Sequence, residues 1–296
     1  MPLKSLRTLL GKPAYEDHDL LIYHGNSLEL MDCFPASVIP LTVTSPPYNI
    51  GKEYESIKSL DEYIDWTESW TTKVHRLTSP TGALWLNLGY LSIPHRAKAI
   101  PIPYLLWGRV PFFLNQEIVW NYGAGVAGRH FFSPRNEKFL WYVKDEDNYT
   151  FNLDDVRDPD VKYPNQKKNG KLKCNPKGKN PSDVWQIPKV TSGQNRSSKE
   201  RTGHPAQFPL QLVSRIILAS SNTGDVVLDP FAGSGSLLEA AILHGRKAIG
   251  IEIQDDYVDM SIRRLRYARR NITLREAQTS LFDLNGSHDC NDLQSR

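Results

Sequence analysis

Cysteine is scarce. Three are present in 296 residues, Cys33, Cys174 and Cys290, with no CxxC pair and no clustered histidines beside them. That usage argues against a disulfide framework and a structural zinc site, so no metal is expected, and it fits a reducing cytoplasm. No apolar run approaches the roughly 20 residues that cross a bilayer, so no membrane association is expected. The N-terminal stretch MPLKSLRTLLGKPAYEDHD lacks the about 7–15 consecutive apolar residues of an export signal. No internal repeat is present. Strong net charge is missing too, at +3, yet acid is wholly absent from Lys162 to Lys179, KYPNQKKNGKLKCNPKGK, where lysine is dense. A local basic segment is more informative than the total and points to a polyanionic partner.

The remaining composition, 40% hydrophobic and 23% charged, is that of an ordinary globular chain. Strand-like runs, DLLIYHG, VIPLTVTS, GALWLNLG, FLNQEIVWNYG, EKFLWYVK, DVVLD and RKAIGIEI, are interspersed with helical patterns. Such interleaving predicts an α/β fold with a mostly parallel sheet. Ser59 followed three residues later by Glu62 is a capping box that starts a helix. Trp66, Trp70 and Trp85 read as core residues. From about Asp145 to His204 the pattern dissolves into Pro, Asn, Gly, Lys and Ser, a long loop of the kind that carries function. The arginines of DDYVDMSIRRLRYARR are expected to close the last helix favourably to its dipole, and the chain after Ile272 is expected to be a polar tail.

Two motifs carry chemistry. In VVLDPFAGSGSLLEAA, Asp229 ends a strand, the turn Pro230, Phe231, Ala232, Gly233, Ser234, Gly235 follows, and a helix starts; Glu252 ends the next strand, 23 residues after Asp229. Glycines let backbone approach a ligand, and an acid at the second strand end can accept both hydroxyls of a ribose. The site is Rossmann-like, although FxGxG is not GxGxxG, and alone it is equally well a structural turn. The second motif is TSPPY, in which Ser45, Pro46, Pro47 and Tyr48 follow the apolar strand VIPLTV. Prolines have no N–H, so this turn offers carbonyls at fixed φ without competing donors. By itself it reads as a strand-ending turn with a packed tyrosine.

Together, TSPPY and LDPFAGSG resemble the amino-methylating DNA methyltransferases, whose signatures are an [S/D/N]PP[Y/F] tetrapeptide and an FxGxG loop. The resemblance runs from about Leu20 to Arg270, and the catalytic motif precedes the cofactor motif, similar to the family's permuted β class. It implies a Rossmann-like methyltransferase fold with a seven-stranded, mostly parallel sheet, helices on both faces and circularly permuted motif order. It implies S-adenosyl-L-methionine as cofactor, held by Asp229 to Gly235 and Glu252, with Asn26, His204 and Pro205 as further candidates. Asn26 stands where many relatives carry an acid, and Phe208 where many carry lysine. The reaction moves a methyl group from a sulfonium to an exocyclic base nitrogen. Ser45 Oγ and the Pro46 carbonyl are assigned as acceptors for the amino group and Tyr48 as the ring stacked on a base flipped from the duplex. Methylation at cytosine C5 needs an attacking cysteine in a Pro-Cys loop, which is absent.

Ser45 in the first position resembles N4-cytosine enzymes; N6-adenine stays open as the alternative, with RNA or protein-glutamine methylation and a non-catalytic DNA-binding module as remoter ones. For DNA contact the candidates are Lys167, Lys168, Lys171, Lys173, Gln194, Asn195, Arg196, Lys199 and Arg201, with Arg129 and Arg135 in a second loop from Gly123 to Glu137. The expected organisation is a catalytic half over 1–150, a target-recognition segment over 151–203, a cofactor half over 204–272 and a tail over 273–296. Duplex DNA is the expected partner, a homodimer stays open, and a cognate restriction endonuclease is a genetic rather than physical partner.

Overall fold

The computed structural model describes residues 1–51, 57–123, 128–190 and 200–286, with side chains to residue 273. Strands β1 (Tyr15–Asp17), β2 (Leu20–His24), β3 (Ile39–Thr44) and β4 (Thr78–Leu88) come first, with helices α1 (Leu3–Leu10), α2 (Ser27–Asp32) and α3 (Leu60–Leu77). A hairpin, β5 (Tyr90–Ile93) and β6 (Ala97–Pro101), and the short α4 (Ile102–Leu105) lead to β7 (Phe113–Asn121) and β8 (Asn136–Val143). After α5 (Leu153–Val156) come β9 (Lys167–Lys168), β10 (Lys171–Leu172) and β11 (Val184–Gln186). The chain closes with α6 (Leu210–Ser220), β12 (Val226–Asp229), α7 (Ser236–Leu243), β13 (Lys247–Glu252) and α8 (Asp255–Gly286).

The main sheet has nine strands in the order β1-β2-β13-β12-β3-β4-β8-β7-β11. Seven of these match the expected sheet; β1 and β11, three residues each, extend its two edges. Pairing is parallel from β2 through β4, antiparallel at β4–β8 and β8–β7, and parallel again at β7–β11. Strand side chains alternate between faces. Leu20, Ile22, Leu41, Val43 and Ala248 join a core with α6, α7 and α8, while Leu21, Tyr23, Ile249 and Ile251 join one with α1 to α4. Both faces are therefore covered, which is why these strands read as apolar runs rather than alternating ones.

Connectivity fixes where a ligand can bind. From β3 the chain moves through α3 to β4 on one side, whereas from β12 it moves through α7 to β13 on the other. The C-terminal ends of β3 and β12 thus flank the switch point of the sheet, where crossovers diverge and leave a crevice.

Two expectations change. Helix α8 runs on to Gly286, through the polar residues from 273 where a tail is expected, so its arginines are not in a last turn. Side-chain partners hold them instead: Arg264 pairs with Glu239 of α7, and Arg269 with Asp17 at 2.8 Å and Asp19 at 3.0 Å, which straps α8 to the β1–β2 edge. The basic segment is also not all loop. Lys167 and Lys168 pair with Lys171 and Leu172 around Asn169 and Gly170, whose φ values of 53° and 76° make the two-residue turn that Asn-Gly favours. Among the described residues no helix is long and apolar enough to cross a membrane.

Candidate active site

At the switch point the two motifs are bonded to each other. Thr44 Oγ1 donates to Asp229 Oδ1 at 2.8 Å, and the Phe231 N–H donates to the same oxygen at 3.1 Å. Burial pushes the Asp229 carboxyl up to about 7, against those two hydrogen bonds and with Glu252 adding in the same direction. The turn is anchored on both sides. Ser27 donates to the Pro230 carbonyl, and the Phe231 ring packs on Trp66 and Trp70 of α3 at centroid distances of 5.6 and 5.3 Å. Gly233 and Gly235 take φ values of 50° and 73°, the left-handed region that favours glycine. A Cβ at Gly233 would lie 3.0 Å from His204 Nε2, and one at Gly235 would lie 2.9 Å from Ser261 Oγ.

The Glu252 carboxylate is held by three backbone donors. Gly233 N–H reaches Oε2 at 2.8 Å, and Ile253 and Gln254 N–H reach Oε1 at 2.9 Å each. Burial raises its pKa despite these bonds. His204 packs edge-on against the Tyr257 ring at 4.3 Å, its Nδ1 accepts from Ala206 N–H at 3.1 Å, and burial lowers its pKa to about 4. The imidazole is therefore neutral at neutral pH.

At the end of β3 the hydroxyls form a short network. Asn87 Nδ2 donates to the Lys138 carbonyl at 3.1 Å, which turns Oδ1 towards the SPPY turn. There Oδ1 accepts from Tyr48 and, at 3.4 Å, from Ser45. Tyr48 also lies 3.1 Å from Ser45 Oγ and 3.5 Å from Glu137 Oε2. With its proton directed to these acceptors, Ser45 Oγ keeps its lone pairs as acceptors. Tyr63 donates to the Pro47 carbonyl at 3.1 Å and holds the turn against α3. Gly89 makes room for the Tyr48 ring, since a Cβ there would lie 2.9 Å from the ring.

A cavity of about 440 Å³ joins the two halves. Ser45, Pro46, Pro47, Tyr48, Asp229, Phe231, Ala232, Gly233, Ser234, Glu252, His204 and Pro205 all line it. Three candidates do not. Asn26 caps α2, its Oδ1 accepting from Leu28 N–H at 3.0 Å and its Nδ2 donating to Glu29; Pro230 is tied to Ser27; and Gly235 begins α7. Among the lining residues that sequence reasoning does not assign to the cavity are Asn87, Tyr122, Glu137, Lys189 and Tyr257. Lys189 Nζ lies 2.6 Å from Glu137 Oε1 and 3.8 Å from the Tyr122 ring centroid, so a charge pair and a cation–π contact wall one side. Asn87 leaves a trace in sequence, as a polar residue late in an apolar strand, and Glu137 is met as the end of the second loop.

The DNA candidates lie elsewhere. Lys167, Lys168 and Lys171 are exposed on the β9–β10 hairpin with Lys173 just beyond, and Arg201 is exposed ahead of α6. Arg129 and Arg135 sit in the β7–β8 loop, whose Pro134 lines the cavity. Gln194, Asn195, Arg196 and Lys199 lie outside the described residues.

A permuted α/β sheet with the SPPY turn and a glycine turn on either side of its switch point has the methyltransferase fold. The N6/N4 family described as DNA methylase matches residues 39–263. The chain is 62% identical over 263 residues to the type II methyltransferase M.ScaI of Streptomyces caespitosus, covering 89% of this chain and 86% of that one. It is 36% identical over 269 residues to the DNA adenine methyltransferase YhdJ of Escherichia coli K12, covering 88% and 87%. The structure of the PvuII DNA methyltransferase, cytosine-N4-specific, superposes with a TM-score of 0.69 at 24% identity, over 86% of this chain and 88% of that one. The chain belongs to the N6/N4 DNA methylase family.

S-adenosyl-L-methionine is the cofactor of this family, and matching folds at TM-score 0.57 and 22% identity were solved as its complexes. The residues here fit it. The Gly233 backbone approaches without a Cβ, Glu252 presents a carboxylate fixed by three N–H groups, and Phe231 and Tyr257 offer ring surfaces in the same cavity.

Proposed function

We propose that the protein methylates the exocyclic N4 of cytosine in duplex DNA, as the modification half of a type II restriction–modification pair. The observation that carries this is Ser45 at the cavity wall, its hydroxyl proton directed to Tyr48 and Asn87. The bound cofactor supplies an electrophilic methyl group. Ser45 Oγ and the Pro46 carbonyl accept the two amino hydrogens, which moves the nitrogen towards sp³ and points its lone pair at the methyl. Tyr48 stacks on the base, which has left the duplex to reach the cavity. The N–C bond forms as the methyl group's bond to sulfur breaks, and the surplus proton on nitrogen passes to water.

Residues 1–150 and 204–272 serve as two halves of one catalytic domain, with 151–203 reading the target. Similarity to M.ScaI supports the type II assignment, and the cytosine-N4-specific PvuII enzyme shares the fold. Similarity to an adenine methyltransferase favours N6-adenine as the second reading, since serine, aspartate and asparagine all accept from an amine. Transfer of tritium from labelled cofactor to duplex DNA, RNA and protein in parallel tests the substrate class. Label is expected in DNA alone; label in RNA or protein and none in DNA overturns the reading.

A further inference from the structure

The β7–β8 loop hangs on the cavity, because Tyr122 and Glu137 at its ends and Pro134 within it are all lining residues. Its described part, residues 128–135, reads GRHFFSPR. Gly128 N–H donates to Ser133 Oγ at 2.8 Å, and the Phe131 ring lies so close to Gly128 that a Cβ there would sit 3.0 Å from it. The turn is therefore closed on itself, with Phe131 folded back. Phe132, at its apex, is 100% exposed. A phenyl ring wholly in water contributes nothing to the fold. Arg129 and His130 beside it are exposed as well, and Arg135 follows. An apolar tip flanked by the arginines Arg129 and Arg135 suits the interior of a duplex between two phosphate rows.

Removing a base from the stack leaves a slot bounded by two flat apolar faces, and an aromatic ring fills such a slot. We infer that Phe132 enters the duplex at the target pair and occupies the space the target base leaves, with Phe131 stiffening the turn and Arg129 meeting the backbone. Phe132 is then a positioning residue, acting on the base rather than on the methyl transfer. This rests on the flipped-base reading.

The test compares wild type, Phe132→Ala and Phe132→Trp on two duplexes carrying the site mapped by sequencing DNA from expressing cells. One is fully paired; in the other the partner of the target base is replaced by an abasic residue, so that extrusion costs little. Phe132→Ala is expected to lose about 10- to 100-fold in kcat/KM on the paired duplex, the size of one base–aromatic stack. It should recover most of that loss on the abasic duplex, and Phe132→Trp should stay near wild type on both. An equal loss on both duplexes, or no loss on either, overturns the assignment. If wild type itself gains nothing from the abasic duplex, the flipped-base reading falls and this inference with it.

Discussion

Replacing Asp229 by asparagine should change how stability depends on pH. Asp229 is buried beneath the cavity floor, and burial moves its carboxyl from 3.8 to about 7 in the native state. Between those values the native chain holds a proton that the unfolded chain has released. The unfolded state therefore binds fewer protons, and unfolding free energy falls as pH rises. Stability from this group is full below pH 4, is lost as pH rises towards 7, and is level above. At about 1.36 kcal/mol per pH unit the whole span is about 4 kcal/mol, of which about 3 kcal/mol lies between pH 5 and 8. Asparagine keeps an oxygen for the Thr44 hydroxyl and the Phe231 N–H but carries no charge. Urea denaturation of both cofactor-free proteins at pH 5, 6, 7 and 8 gives the comparison. The free-energy difference between Asp229→Asn and wild type should grow in the variant's favour by about 3 kcal/mol from pH 5 to 8. Subtraction removes His204, which titrates in both proteins, whereas the part of the difference that comes from Asp229–Glu252 coupling belongs to the effect measured. Parallel pH profiles would refute the reasoning, since they mean that the carboxyl ionises in the native state as easily as in the unfolded one.

Ser45→Ala should lower kcat by about 100-fold through loss of an acceptor, while the cofactor dissociation constant, measured by calorimetry, stays unchanged; weakened cofactor binding would place Ser45 in the wrong role. Gly89→Ala drives a Cβ to 2.9 Å from the Tyr48 ring, and the displaced ring should reduce kcat by about 10- to 100-fold; single-turnover rates equal to wild type would count against Tyr48 as the stacking group. Arg264→Ala strands the Glu239 carboxylate inside the α7–α8 contact and should destabilise by about 3 kcal/mol. Arg269→Ala, whose partners are more open, should destabilise by about 1 kcal/mol or less; the reverse ranking in urea melts would contradict the burial argument.

Much of the site was legible because each motif is local. SPPY follows β3 directly and FxGxG follows β12 directly, so strand, turn and helix signals in the sequence place both. The Ser59–Glu62 capping box likewise forms as read. Partnerships between distant segments were not legible. Glu137 is the second residue of β8 and Lys189 follows β11, and nothing near either marks the 2.6 Å pair they make beside Tyr48. Strand and helix interleaving did not reveal that β4, β8 and β7 run antiparallel, because FLNQEIVWN and NEKFLWYV are apolar on both sides of the loop that reverses them. Arginines in α8 were read from the helix alone, whereas their partners, Asp17, Asp19 and Glu239, come from elsewhere in the chain. Asn169-Gly170 was a readable hairpin signal, obscured by flanking lysines that break any strand-like alternation. Asn26 is read from its position after the first strand, and there its side chain caps α2 rather than lining the cavity.

The central claim is that the Ser45 turn acts on the amino group of cytosine. Nucleoside mass spectrometry of DNA from cells expressing the protein tests it most directly, with the Ser45→Ala variant as control. N4-methylcytosine should appear with the wild type and be strongly reduced with the variant; N6-methyladenine in its place would contradict the account.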